Sequence, residues 1–271
     1  MTSRGRLVTV VAVLVAVAGI LAASAFFVGR LTATESIPEP EVSKQAAVAE
    51  EAATESPQAS QDDREALFDP PERLGVMIAS TISKSVQIEC QDGYGTGWIY
   101  DTPYTPTYRN EELELAAQGK DLLVVTAKHV IDDCKQDPSS IKVMIEFEEI
   151  PSQLLNWHNK TDLATIAVSA NNPGLQGSDE VKQGMWAMAV GWPFNYNLSP
   201  TIGRVIEIED TELYIDVLIE PGNSGGPLVD STGAVIGTVT AGFLDDNDVS
   251  TGFNIATKTR ALCAKLLSCR D

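Results

Sequence analysis

Apolar and polar positions divide the chain into three stretches of different pattern. The first, Leu7 to Val28 (LVTVVAVLVAVAGILAASAFFV), carries no charged side chain. It is apolar on every helical face, which argues against an amphipathic helix of a soluble core. At ~1.5 Å rise per residue it is long enough as a helix to cross a hydrocarbon layer ~30 Å thick. The second stretch, residues 31 to 72, is rich in Ala, Glu, Ser, Pro and Gln. It lacks the apolar side chains needed to offset the entropy of ordering and reads as a solvated tether. From Val76 onward the chain changes to short runs rich in Val, Ile and Thr, broken by Gly, Pro and Asn. The runs at 85–89, 97–100, 122–126, 141–147, 164–168, 185–190, 203–208, 213–218, 227–229, 235–240 and 252–256 read as strands. They predict an all-β fold of one or two barrels, with a helix over 259–268. The polar, proline-containing stretch 102–120 interrupts the strand rhythm and is expected to project as a surface insertion. No internal repeat is found.

Charge orients the apolar stretch. Arg4 and Arg6 precede it and Arg30 follows, and the positive-inside bias places the amino terminus in the cytoplasm. The expected organisation is a cytoplasmic terminus (1–6), a single-pass signal anchor (7–28), a disordered acidic linker (29–72) and a folded extracytoplasmic domain (73–271). Within that domain the first barrel is expected at about 76–175, the second at about 180–258 and the carboxy-terminal helix at 259–268. Ala23-Ser24-Ala25 has the small-x-small pattern of a signal-peptidase site, so the alternative is a secreted form cleaved near Ala25. Across the whole chain 38 acidic residues face 19 Lys plus Arg, a net charge of −19. Such a chain repels phosphate backbones, and no nucleic-acid partner is expected.

Chemistry is sought at the scarcest useful side chains, and the chain holds only His129 and His158. His129 follows the apolar run in LLVVTAKHVIDDC, at the exposed end of a rigid strand. A second segment, Pro221-Gly222-Asn223-Ser224-Gly225-Gly226-Pro227-Leu228, puts Ser224 in a glycine-flanked turn whose N–H groups can face one concavity. A carboxylate is then needed to orient the imidazole. Asp162, in HNKTDLATIAVS, is the choice; Asp132 and Asp133 follow His129 closely and stay open as alternatives. Gly222 to Gly226 also fits G-x-S-x-G, but α/β-hydrolases run Ser, Asp, His, and no histidine follows Ser224.

With TAKHV, TDLATIAV and PGNSGGPLV in that order, the chain resembles the chymotrypsin-fold (trypsin-like) serine proteases, and within them the bacterial HtrA (Deg-type) branch. GTGWIY, AVGWPF and TGFNIAT stand where that branch has them, and the resemblance covers about residues 76 to 260. It implies two perpendicular six-stranded antiparallel β-barrels with the site between them. It implies Ser224 as nucleophile, His129 as general base and then acid, and Asp162 as its orienting partner, with the N–H groups of Gly222 and Ser224 as oxyanion hole. The primary pocket would be formed by Leu218, Ile219, Glu220, Thr240, Ala241, Gly242, Gly252 and Phe253, with Leu218 near its floor. With no carboxylate at that floor, a small or medium apolar side chain is expected, Glu220 being able to admit a basic group if it turned inward. Asn223 stands where trypsin-like zymogens use an Asp, so no propeptide-cleavage switch is expected. The chain stops at Asp271, and a protease domain without a PDZ domain is expected.

Four cysteines beyond a membrane point to disulfides rather than ligands. Cys90–Cys134 could fasten the histidine loop to the first barrel, and Cys263–Cys269 would require the last helix to end near Leu267. No metal and no cofactor are expected. The chain reads as a membrane-tethered serine endopeptidase acting on protein or peptide substrates, with oligomeric state open. The alternative is a catalytically silent peptide-binding module of the same fold.

Overall fold

The β-branched runs pair as antiparallel strands in two sheets, each with its own apolar filling. The computed structural model describes residues 66–101, 105–171, 173–244 and 250–268, all within one compact unit, Glu55–Asp271. The expected anchor at 7–28 and nearly all of the linker lie outside these residues. Among the described residues no helix is long and apolar enough to cross a membrane.

The first half contains helix α1 (Leu74–Ser83), strands β1 (Ser85–Cys90), β2 (Gly93–Tyr100) and β3 (Thr105–Pro106), helix α2 (Glu111–Ala116), and strands β4 (Leu122–Ala127), β5 (Ile141–Ile145), β6 (Glu148–Ile150), β7 (Ser152–His158) and β8 (Leu163–Val168). The second half contains β9 (Trp186–Gly191), β10 (Ser199–Ile208), β11 (Glu212–Ile215), β12 (Pro227–Val229), β13 (Val235–Leu244), β14 (Ser250–Lys258), helix α3 (Arg260–Lys265) and β15 (Leu267–Ser268). Strands β9 to β14 form a closed barrel in the order β10-β11-β14-β13-β12-β9. β8 and β9 are buried along their whole length and β4 from Leu123 onward, which is why they read as continuous apolar runs rather than alternating ones.

The expectation of two closed six-stranded barrels needs correction. The first sheet has seven strands in the order β6-β5-β1-β2-β4-β8-β7 and is not closed by a ladder. Its two edge strands are joined through Pro151, which has no N–H to donate and ends the pairing there. The sheet curls until Ser152 Oγ donates to the Ile141 carbonyl at 3.3 Å, and Ile88, Ile99, Ile131, Leu154 and Ile166 fill the space it encloses.

Between the sheets lies a third cluster to which both contribute, with Trp98, Val125 and Leu163 from one side and Trp186, Met188 and Val235 from the other. Trp98 Nε1 donates across this boundary to Thr238 Oγ1 at 3.1 Å. Helix α1, not expected from the sequence, lays Leu74, Met77, Ile78 and Ile82 against this cluster, an i, i+3, i+4, i+8 stripe. The folded part also starts earlier than residue 73. Leu67 is buried, its carbonyl accepts from Trp186 N at 3.1 Å, and the Phe68 carbonyl accepts from Arg204 Nη1 at 3.0 Å.

Three further expectations change. The described part of the 102–120 stretch does not project freely: β3 pairs with β15 and Ala117 is buried in the inter-sheet cluster. The last helix ends at Lys265 rather than Ser268, because Leu267 and Ser268 take up that pairing. The strand expected over 213–218 stops at Ile215, where its pairing with β14 ends.

Cys90 and Cys134 are joined, with Cα atoms 5.8 Å apart and a sequence separation of 44. Cys263 is disulfide-bonded, and Cys269 lies outside the described residues. Replacing Cys90 and Cys134 together with Ala frees the histidine segment from β1 and relaxes the unfolded chain. The expected loss is roughly 2–4 kcal/mol, to be read as a lower urea midpoint against the oxidised protein.

Candidate active site

Strand register brings the first two candidate residues together. β4 and β8 pair with Ala127 opposite Leu163, so His129, two residues beyond one strand, meets Asp162, one residue before the other. The backbone closes the corner, with Lys128 N donating to the Asp162 carbonyl at 2.9 Å. Past the corner the chain enters a 3₁₀ helix, Lys128–Cys134, held by buried Val130, Ile131 and Cys134. His129 is left on the open side, with its side chain 42% exposed.

Both oxygens of Asp162 are engaged. Oδ1 accepts the His129 backbone N–H at 2.9 Å, and Oδ2 lies 2.6 Å from His129 Nδ1. An ionised carboxylate only accepts, so Nδ1 carries the proton and Nε2 is left as the basic nitrogen. Asp162 reaches this position with φ of +49°, a backbone conformation that a non-glycine residue holds at a cost of order 1–3 kcal/mol. Asp132 is turned elsewhere, onto Lys128 at 2.9 Å and Lys135 at 2.6 Å. Burial alone would raise its carboxyl pKa, but Lys135 and Lys128 together pull it below the usual carboxylate range. His158 has the opposite arrangement to His129: Thr161 N donates to its Nδ1 at 3.3 Å. Partial burial, then the charges of Lys265, Lys160 and Arg109, hold its pKa below the ordinary histidine value.

The serine turn comes from the second sheet. Asn223 N donates to the Glu220 carbonyl at 3.0 Å, with Gly222 at φ of +102°. Proline followed by a left-handed glycine is the signature of a type II turn. At Gly222 a Cβ would stand 2.0 Å from the Trp192 carbonyl oxygen, and at Gly225 2.0 Å from that of Thr96. The absence of side chains therefore lets the turn lie flat against β2 and β4. Thr96 fastens it: its N–H donates to the Ser224 carbonyl at 2.8 Å, its hydroxyl donates to the Gly222 carbonyl at 2.7 Å and accepts the Trp192 N–H at 3.2 Å. Gly225 also packs on Thr126 and Ala127, the residues that lead into His129. Ser224 thus sits beside the histidine segment, although among the described residues no hydrogen bond joins its Oγ to the imidazole.

A cavity of about 540 Å³ opens next to Ser224, lined by Asp216, Leu218, Ile219, Glu220, Pro221, Gly242, Gly252 and Asn254. Five of the eight expected pocket residues lie on it. Thr240 and Phe253 do not line it, and the side chain of Ala241 lies outside the described residues. Leu218 lines the cavity and is 59% exposed, whereas Val217 is fully buried, because successive side chains alternate as the chain leaves β11. The sequence reading missed Asp216, whose Oδ1 accepts Arg204 N at 2.5 Å, and Asn254, whose Nδ2 donates to the Val217 carbonyl at 2.7 Å. It also missed Thr96, which carries no signal beyond its place in GTGWIY. Among the described residues no group of His, Cys, Asp and Glu could hold a metal ion.

The strand arrangement and the corner that holds His129 against Asp162 define a chymotrypsin-type fold with an imidazole–carboxylate pair at its sheet junction. Comparison with known proteins agrees: residues 113–237 match the family model described as Trypsin-like peptidase domain. Its relatives include the "Probable periplasmic serine endoprotease DegP-like" of Chlamydia pneumoniae, 37% identical over 131 residues, which are 44% of this chain and 26% of that protein. The protein of the same description from Halomonas elongata is 35% identical over 130 residues, 44% of this chain and 27% of the relative. The chain thus spans about a quarter of the length of these relatives. Among solved structures, the serine endoprotease from Yersinia pestis superposes with a TM-score of 0.55 at 23% identity, covering 72% of this chain and 66% of that one. The Rv3671c protease from M. tuberculosis in its active form gives 0.54 at 21% identity, covering 73% and 86%.

Thr96→Val tests how the serine turn is held. It strands the buried Gly222 carbonyl and Trp192 N–H without their hydroxyl partner. The expected cost is about 1–3 kcal/mol, read as a lower urea midpoint.

Proposed function

We propose that the chain is a membrane-tethered extracytoplasmic serine endopeptidase that uses Ser224, His129 and Asp162 as its catalytic triad. The observation that carries this reading is the Asp162–His129 pair, whose contact at Nδ1 leaves Nε2 as the base, with the serine turn packed on the residues that lead into His129. In the first step His129 Nε2 takes the Ser224 Oγ proton as Oγ attacks the scissile carbonyl carbon. The imidazolium, stabilised by Asp162, then gives that proton to the leaving amine as the C–N bond breaks. Water, deprotonated by the same nitrogen, hydrolyses the acyl-enzyme and frees Ser224.

The N–H groups of Gly222 and Ser224 serve as the oxyanion hole. The Pro221 carbonyl accepts the Phe194 N–H at 2.7 Å. Because a trans peptide points its C=O and N–H in opposite directions, this bond turns the Gly222 N–H away from Phe194. Among the described residues neither Gly222 N nor Ser224 N donates to a backbone carbonyl, so both remain available. Such a donor contributes roughly 3–4 kcal/mol of transition-state stabilisation.

For specificity we retain a small or medium apolar side chain in the cavity beside Ser224, since Asp216 is occupied by the Arg204 N–H. A cleavage profile dominated by Arg would overturn this and assign Glu220 as the recognising group. The location rests on the apolar stretch Leu7–Val28 and on periplasmic relatives.

The missing Oγ–imidazole hydrogen bond favours a second reading, a silent peptide-binding module. A fluorophosphonate probe separates the two, with intact mass as readout. Stoichiometric labelling of the wild type that vanishes in Ser224→Ala establishes an activated nucleophile; no labelling of folded protein establishes the silent module. Asp162→Asn, which forces the wrong tautomer on His129, should lower kcat for casein hydrolysis by about 10⁴-fold.

A further inference from the structure

The chain has twice as many acids as bases, yet one region gathers cations that form no ion pair among the described residues. The segment 105–109 is wedged between β7 and the turn after α3: Thr107 N donates to the Leu266 carbonyl at 3.2 Å, Arg109 N to the Leu155 carbonyl at 3.0 Å, and Asn156 Nδ2 to Thr107 Oγ1 at 3.0 Å. This brings Arg109, at the start of α2, beside His158 and Lys160 at the end of β7 and Lys265 at the end of α3. The Arg109 guanidinium lies 3.7 Å above the Trp157 ring, and one Nη donates to the Trp157 carbonyl. Stacking and this one bond fix the plane of the group and leave its other N–H donors for a partner.

Among the described residues none of these side chains takes part in an ion pair: the pairs are Lys128–Asp132, Lys135–Asp132, Lys182–Glu180 and His129–Asp162. The charges felt at His158 after burial are those of Lys265, Lys160 and Arg109, all positive. Arg109, Lys160 and Lys265 are exposed and His158 is half-buried, so the cluster is an open surface spread over three elements. Such a surface suits a chain carrying several negative groups better than one enclosed small anion.

We propose that Arg109, His158, Lys160 and Lys265 form a docking site for acidic side chains of a polypeptide substrate, on the turn that carries Asp162. Lys160 lies two residues before Asp162. The turn is braced from the second sheet, where Thr257 Oγ1 donates to the Thr161 carbonyl at 2.9 Å. A substrate held here lies alongside the cleft, and its acidic stretch adds attraction that a chain of net charge −19 otherwise denies to acidic proteins. This inference rests on the peptidase reading for its substrate, but its test does not depend on turnover.

The test uses the full-length protein carrying Ser224→Ala and a fluorescein-labelled glutamate-rich peptide, with its glutamine counterpart as control, followed by anisotropy. The acidic peptide should bind, its counterpart should not, and binding should be lost as salt rises from about 50 mM to about 500 mM. Lys160→Gln and Lys265→Gln, both at exposed positions, should each weaken binding about 1.5- to 5-fold, and the triple variant with Arg109→Gln should abolish it. With only two histidines in the chain, the imidazole of His158 can be followed directly by NMR. The acidic peptide should move its titration midpoint upward, an effect that a merely structural role for the cluster does not produce. Equal binding by the parent and the triple variant overturns the proposal. So does binding of inorganic sulfate without binding of the peptide, which would make this a small-anion site. If fluorophosphonate labels Ser224 but the peptide does not bind, only the docking site falls; if the peptide binds and Ser224 is never labelled, only the peptidase reading falls.

Discussion

The pairing of β4 with β8 is the constraint on which the rest of the site depends. With Ala127 opposite Leu163, the corner beyond the strands has room for one turn, and that turn is closed by Lys128 N on the Asp162 carbonyl. Both strands are buried on both faces, so a slip of one residue would expose or misplace a whole row of aliphatic side chains. The geometry of the imidazole–carboxylate pair is therefore held by the hydrophobic register of two strands rather than by the pair itself. This matters because Asp162 sits in an unfavourable backbone region and would relax if the strands allowed it.

A second set of interactions ties the two sheets into one site. Thr96, near the middle of β2, holds the serine turn through two hydrogen bonds and Trp192 N through a third, while its own carbonyl accepts the Thr126 hydroxyl at 2.7 Å. One residue of the first sheet thus fixes the turn of the second sheet and the strand that leads to His129. The Trp98–Thr238 bond and the shared apolar cluster keep the sheets from sliding past one another, so hydroxyl groups set the fine geometry on a boundary held by burial.

Much of this was legible in the sequence where a local pattern carried it. All eleven strand runs overlap strands, since β-branched residues between glycine and proline breaks mark strands whatever their partners. The turn at Glu220 to Asn223 could be read from Pro221-Gly222 alone. The choice of Asp162 over Asp132 was legible only in part: sequence distance made Asp132 awkward, but its actual engagement with Lys128 and Lys135 is a contact no pattern encodes. What was missed depends on long-range pairing. β7 has few β-branched residues and exists because β8 offers a partner. Helix α1 shows its apolar stripe only once the stretch from Leu74 is read at helical spacing. The open first sheet follows from one proline at an edge, and the cavity residues Asp216 and Asn254 meet only because the barrel closes.

The close approach of the serine turn to β2 separates two kinds of sequence signal. Side chains at Gly222 and Gly225 would collide with backbone atoms whether or not any bond is ever cleaved, whereas Ser224 and His129 face open space and are not needed for packing. Mutational drift in a descendant that had stopped working as a catalyst would therefore erase the serine and histidine first and leave the glycines in place. For chains of this shape, the glycines report ancestry and the two polar side chains report employment.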